Sequence, residues 1–395
     1  MVAKDGGEAR AEAREPARSR VLRWLEKSVA DGTLKPGEAA PSVRDLAEKL
    51  GVANGTVAAA LRDAEARGVV VRRNVGAYKR FIPDHAAEKA LATRSIFVIC
   101  KLGRFASGKP APRWSDPYMA FELIPRLAAG GRHVMLLNSD EMQKEEIAGV
   151  LGTHPAGVLV MGTVIDSPIA LEALRVCREA GIPAVVYGNS PALQGFDRVY
   201  TDHRAGSRML AEWLLKHGRR GIVPIFPHAP ASHWELERIE GYAEAMKAAR
   251  LKPAPCAHFC PYRIRQLCYG DVPDAESFSI LTSLALAVLV EQRRQRAVDA
   301  ILCVNDEWAK PVIAAIRALG LKPGSDIVVA GYDNIDRVCK FDAFESARPS
   351  ITIDKHNERT AELLAGLLLE RISGSLPPEP QTRTGAQELV VLKQP

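Results

Sequence analysis

The chain reads as an α/β protein: two doubly wound parallel sheets side by side, preceded by a small helix-turn-helix domain. Three observations predict this. The strands of the long second part are continuous apolar runs, such as Ala300 to Val304 and Ile327 to Ala330, which fit parallel strands covered on both faces. Helical patterns separate them, and about 300 residues of such alternation exceed one open sheet. Before Pro83, by contrast, come three short helical stripes and a turn-split strand pattern, the outline of a separate domain.

Composition sets the outer bounds. At 395 residues, 47% hydrophobic and 25% charged, the chain has the makeup of a soluble globular protein, not a disordered one. The net charge is +6, and residues 1–83 hold sixteen Lys or Arg against eleven Asp or Glu. A basic front end points to a polyanion partner. The opening MVAKDGGEARAEAREPARSR is too polar for a signal peptide, and no run of about 18 apolar residues is evident. A cytoplasmic protein without membrane contact is therefore expected. Seven scattered cysteines, an odd number, suit reduced thiols.

Residues 1–18 are expected to be a disordered leader. Val21, Leu22, Leu25 and Val29 then mark one face of a first helix that ends at Asp31-Gly32. Pro36-Gly37 make a turn, and Ser42 can cap a second helix whose stripe is Val43, Leu46, Ala47 and Leu50. Asp45 stands where a capping box needs an acid. Gly51 separates this from a third helix, about Asn54 to Arg67. The segment VVVRRNVGAYKRFI, turning at Asn74 to Gly76, supplies a β-hairpin.

This front end, residues 19–83, resembles the winged helix-turn-helix of GntR-type bacterial regulators. The resemblance rests on Gly32, Leu34, Pro36-Gly37, Pro41-Ser42, Arg44, Leu46-Ala47, Leu50-Gly51-Val52, Thr56-Val57, Ala60-Leu61, Gly68 and Gly76. It implies that the helix from Asn54 enters the major groove while Arg44 and the wing at Gly76 touch the backbone. The family usually carries Ser-Arg-x-Thr-Val-Arg here, whereas this chain has Ala53-Asn54-Gly55-Thr56-Val57-Ala58. Without those arginines, Asn54 is the candidate to read adenine and Thr56 a thymine methyl or phosphate. Arg44, Arg72, Arg73, Lys79 and Arg80 supply charge. The candidate DNA contacts are Ser42, Arg44, Asn54, Thr56, Arg72, Arg73 and Gly76. A small-molecule binding protein with a degenerate DNA-binding head is the alternative.

Residues 84–94 read as a linker and 95–395 as the second domain. Strands are expected at Ser95 to Cys100, His133 to Leu137, Gly157 to Met161, Pro183 to Tyr187, Arg198 to Thr201 and Gly221 to Ile225, with helices between. The long turn KLGRFASGKPAPRWSDP follows the first strand, where functional loops tend to lie. Asp299 to Asn334 is a full strand-helix-strand unit. In such sheets ligands sit beyond the carboxyl ends of strands, and these two ends carry Asn305-Asp306 and Asp333-Asn334.

The second domain resembles the periplasmic-binding-protein-like effector domain of LacI-type repressors. Its landmarks are Gly181 to Val186, Thr201-Asp202 with Gly206, Gly218-Arg219, Arg238-Ile239-Glu240-Gly241-Tyr242, Asn305-Asp306, Gly331-Tyr332-Asp333-Asn334 and Arg348 to Thr352. The resemblance implies two lobes, the first about 95–218 and 351–375, the second about 219–350 and 376–393. It also implies that Arg238 and Asp333 face each other across a ligand cleft. A guanidinium fork and a carboxylate suit a sugar-sized polyhydroxylated ligand. Asn305, with Ser115, Asp116, Tyr118 and Trp114 from the first lobe, completes the candidate ligand set. Asp306 and Asp202 are equally readable as helix caps, and Arg238 as paired to Glu235 or Glu237.

Cys256, His258, Cys260 and Cys268 match no common zinc spacing, and no nucleophile elbow, P-loop or H-E-x-x-H motif is present. Neither catalysis nor a cofactor or metal is expected. The expectation is a transcription regulator whose partners are operator DNA, a sugar-like effector and a second copy of the chain in a homodimer.

Overall fold

The computed structural model describes residues 16–75, 77–83, 91–101, 116–139, 142–161, 167–230, 232–259, 275–335 and 341–392. The chain divides into two compact units, residues 1–91 and 92–395.

The first unit holds α1 (Ala17–Ala30), α2 (Val43–Leu50), α3 (Asn54–Ala66), β1 (Val71–Val75) and β2 (Ala77–Phe81). Helix α1 thus begins inside the expected leader. Val21, Leu25, Leu46, Val57, Leu61 and Ile82 close over one another in a single core, which is where the three predicted stripes converge. The capping box forms: Ser42 Oγ accepts from the Asp45 N–H at 3.2 Å, and Asp45 Oδ2 accepts from the Ser42 N–H at 3.1 Å. Strands β1 and β2 pair as an antiparallel hairpin. The sequence reading missed a third strand-like segment: the Ala40 N–H donates to the Arg80 carbonyl and the Ile82 N–H to the Glu38 carbonyl, each at 2.8 Å.

The second unit contains two six-stranded sheets. The first lobe is built from β3 (Ser95–Cys100), α4 (Asp116–Ala128), β4 (His133–Asn138), α5 (Lys144–Leu151), β5 (Gly157–Val160), α6 (Pro168–Ala180), β6 (Ala184–Tyr187) and β7 (Asp197–Thr201). The second contains α7 (His203–Lys216), β8 (Ile222–Phe226), α8 (His233–Ala248), β9 (Ala257–His258), α9 (Ala275–Gln295), β10 (Ala300–Cys303), α10 (Asp306–Ala318), β11 (Val328–Ala330) and β12 (Ile351–Asp354). The chain then returns as α11 (Asn357–Ser373), β13 (Thr382–Gly385) and β14 (Glu388–Val391).

Alternate strand residues feed opposite faces of each sheet, which is why the runs are apolar throughout. Ile96, Val98 and Cys100 pack with α4 and α11, whereas Phe97 and Ile99 pack with α5 and α6. In the second lobe Ile301 and Cys303 face α9 and α10, while Ala300 and Leu302 face α7 and α8.

The sheet orders are β13-β7-β6-β5-β3-β4 and β14-β12-β11-β10-β8-β9, and only β14 runs antiparallel to its neighbour. These orders correct the expected lobe boundaries. Ile351–Asp354 pairs with β11 in the second lobe, not the first. Thr382–Gly385 pairs with β7 in the first lobe, not the second. Which sheet a strand joins is set by its hydrogen-bond partner, which its own apolar pattern does not encode. The lobes are therefore joined by three crossings, at Asp202, at Lys355-His356 and at Ala386-Gln387. Each leaves the carboxyl end of a strand, so those ends flank the opening between the lobes.

Helix α5 escaped the sequence reading. So did the apolar character of α9, whose 21 residues are long and apolar enough to cross a membrane by length and composition alone. In the fold Phe278, Leu281, Ala285 and Leu289 of α9 are buried in the second-lobe core.

Candidate ligand cleft and nucleic-acid interface

Helix α8 starts with Ser232, whose backbone N–H is bonded by Glu235 at 3.0 Å in a capping box. One turn on, Arg238 is almost fully buried, at 4% exposure. Its guanidinium carbon lies 3.5 Å from the Tyr332 ring centroid and 4.6 Å from that of Trp234, a cation held between two aromatic faces. Nη1 donates to the Val304 carbonyl at the end of β10. Nη2 lies 3.5 Å from Asp333 Oδ1. Arg238 and Asp333 thus meet directly within the second lobe, not across the opening between the lobes, and this contact takes the place of a pairing with Glu235 or Glu237 among the described residues.

Asp333 and Asn334 follow β11 with φ of 84° and 48°, a left-handed pair that acids and amides tolerate better than most residues. Strand β12 holds them there. The Asp333 N–H donates to the Ile353 carbonyl at 2.8 Å, and Asn334 Nδ2 donates to Asp354 Oδ2 at 2.9 Å. Lys355, at the second crossing, brings Nζ to 2.8 Å from Asp333 Oδ1. Burial alone would lower this ammonium, but the Asp333 carboxylate outweighs it and holds Lys355 above its ordinary value.

His203 begins α7 and faces the other edge of Arg238, with Nδ1 at 3.3 Å from Nε and 3.2 Å from Nη2. Two donors on Nδ1 leave that nitrogen unprotonated. Burial, then the charges of Arg238 and Lys355, drive His203 well below its usual range, so it is a neutral imidazole. Tyr332 Oη donates to Gln387 Oε1 at 2.7 Å, and Gln387 Nε2 donates to the Asp202 carbonyl at 2.7 Å. Gly206 is bare because a Cβ there would strike both Tyr332 Oη and Gln387. The aromatic face under Arg238 is thus bonded to two of the interlobe crossings, and Asp333 is paired at the third. A direct bond also spans the lobes: Asn189 Nδ2 donates to Glu237 Oε1 at 3.0 Å.

The other sequence candidates are placed as follows. Asn305 Oδ1 accepts from the Trp308 N–H at 2.9 Å and so caps α10. Asp202 caps α7 through the Ala205 N–H at 2.8 Å. Asp306 is no cap: it accepts from Thr352 Oγ1 and from the Ile335 N–H, each at 2.8 Å, tying together the ends of β10, β11 and β12. Burial chiefly raises its carboxyl to about 8. Tyr118 Oη donates to Glu358 Oε1 at 2.8 Å within the first lobe. Trp114 and Ser115, and the side chain of Asp116, lie outside the described residues. Trp308 packs among Phe259 and Phe341 in the core. Burial pushes the Cys256 thiol up to about 12, which suits a packed, protonated sulfur; Cys260 and Cys268 fall outside the described residues.

Sequence reasoning missed His203, Tyr332, Lys355 and Gln387. Lys355 carried one usable signal, a lone cation directly after an apolar strand. The others needed the crossings to be known.

In the head, Asn54 is exposed at the first position of α3, and the preceding Ala53 makes no side-chain cap. Arg44 is exposed at the start of α2, whereas Thr56 is partly buried. Ser42 is engaged in the capping box. Arg72 Nε donates to Glu65 Oε1 at 2.9 Å. The side chain of Arg73, and Gly76 altogether, lie outside the described residues.

A winged helix-turn-helix followed by a two-lobed domain with a buried charged cluster at its crossings defines a ligand-responsive DNA-binding transcription regulator. The chain belongs to the periplasmic binding protein domain family, which matches residues 137–374, and its head matches the bacterial regulatory proteins of the gntR family over residues 17–78. Among similar proteins, the HTH-type transcriptional regulator CelR of Thermobifida fusca is 25% identical over 85% of this chain and 92% of its own length. The HTH-type transcriptional repressor PurR of Actinobacillus pleuropneumoniae serotype 3 is 28% identical over 64% of this chain and 68% of its own. A solved transcriptional regulator CelR–cellobiose complex shares the fold with a TM-score of 0.58 at 20% identity, covering 89% of this chain and 99% of that one.

Proposed function

We propose that the protein is a repressor whose effector is a sugar or sugar derivative bound between the lobes, and that it performs no chemistry on that ligand. The observation that carries this is the Arg238–Asp333 pair. At 3.5 Å the two are in ion-pair range but too far apart for a good hydrogen bond, which leaves the Asp333 carboxylate capacity for hydroxyl groups. Trp234, partly exposed beside the pair, offers an aromatic surface on which a sugar ring can pack. The cellobiose held by a structural relative supports the same ligand class.

Regulation follows from the crossings. A ligand that favours one arrangement of the lobes shifts their equilibrium by its differential affinity. In a cytoplasmic homodimer this would alter how two heads match a two-fold operator. Asn54, Arg44 and the hairpin cations are the proposed DNA contacts. A thermal-shift screen of sugars and polyols tests the cleft: a stabilising ligand whose effect survives both Arg238→Ala and Asp333→Ala refutes it.

A further inference from the structure

We infer that the effector is an anionic sugar derivative, bearing a carboxylate or a phosphate that seats against Lys355. The inference rests on the cleft reading above and adds the ligand's charge.

The first observation is a count of charges. Arg238 and Lys355 share Asp333, the one carboxylate within ion-pair distance of either among the described residues. The neighbouring acids are otherwise committed. Asp354 is turned to the Asn334 amide and to the His356 N–H. Asp202 caps a helix. Asp306 is bonded to Thr352 Oγ1 and the Ile335 N–H, and burial raises its carboxyl to about 8. Glu237 is likewise raised by burial and is bonded to Asn189. His203 adds no charge. Two buried cations thus share a single ion-pair partner, a setting that a further anion would stabilise.

The second observation says which cation is available. The Arg238 fork is largely engaged inside the protein, by the Val304 carbonyl and His203. Lys355 has three N–H donors and a single ion-pair partner, yet its side chain is only 10% exposed. It also leaves the carboxyl end of β12, where ligands of such sheets lie. A neutral sugar would offer this ammonium no counter-charge besides the Asp333 that it shares with Arg238; an acidic one would supply a second.

Calorimetric titration of the full chain with matched probes tests this. The panel is glucose, gluconate, glucuronate and glucose 6-phosphate, with the galactose, ribose and cellobiose counterparts. The expected result is that one acid binds at least tenfold tighter than its neutral parent. Lys355→Gln should lose that margin, acid and neutral parent then binding with similar affinity. Binding confined to carboxylates or to phosphates tells which anion is recognised. Neutral parents binding as tightly as their acids would overturn the charge inference and leave the cleft standing, even if Lys355→Gln does not fold. If neither class binds the wild type at all, the sugar-cleft reading fails and takes the inference with it.

Discussion

Lys355 Nζ sits 2.8 Å from Asp333 Oδ1, so a residue at an interlobe crossing is ion-paired to the left-handed turn that follows β11. Asp333 is also 3.5 Å from Arg238. Removing its charge strands two buried cations. Asp333→Asn keeps a side chain that tolerates the left-handed backbone, so the loss isolates electrostatics. We expect it to cost about 3–5 kcal/mol, read by urea unfolding. Lys355→Met in the same background should cost less than it does alone.

Asp306 makes stability depend on pH. Its folded pKa, about 8, stands above the ordinary 3.8, so between these values the folded state binds the extra proton. Stability from this group is present below pH 4 and is lost as pH rises toward 8, by at most about 1.4 kcal/mol per unit. His203, driven low, acts in the opposite sense below its ordinary value. The difference between wild type and Asp306→Asn across pH 4 to 8 isolates the aspartate. A flat difference would contradict its buried, protonated state.

In the head, structural and recognition roles should separate. Ser42→Ala breaks the capping box and is expected to cost about 1 kcal/mol of stability. Asn54→Ala removes an exposed side chain, so melting should be nearly unchanged. Specific DNA affinity should fall by about 1–3 kcal/mol if Asn54 reads a base. Melting curves and gel shifts on the same two variants distinguish these roles.

Two glycines should respond in opposite directions. A Cβ on Gly241 would meet the Arg204 carbonyl carbon at 2.8 Å, backbone that cannot move aside, so Gly241→Ala should lose at least about 1–3 kcal/mol. Gly55 has nothing within 4 Å and lies in α3. Gly55→Ala should gain about 0.4–1 kcal/mol, measured by thermal unfolding.

The sequence disclosed what is local. Apolar runs marked the core strands, Ser42 its cap and Gly331 to Asn334 the turn that bears Asp333. It concealed what depends on pairing. Ile351–Asp354 and Thr382–Gly385 are both four-residue strands, yet hydrogen bonding sends them to opposite lobes. Lys355, His203 and Gln387 acquire meaning only once those crossings are known. Asn305 was legible as polar and strand-terminal, but its engagement with the Trp308 N–H needed coordinates.

The central claim is that ligand in the cleft changes DNA binding by the heads. A gel shift on DNA from upstream of the protein's own coding sequence, at about 50 mM salt where phosphate contacts are strong, tests it with and without the sugar that most stabilises the chain. We expect operator affinity to change by about fivefold or more, and the change to vanish in Arg238→Ala. Equal affinity with and without a saturating, stabilising sugar would contradict the account.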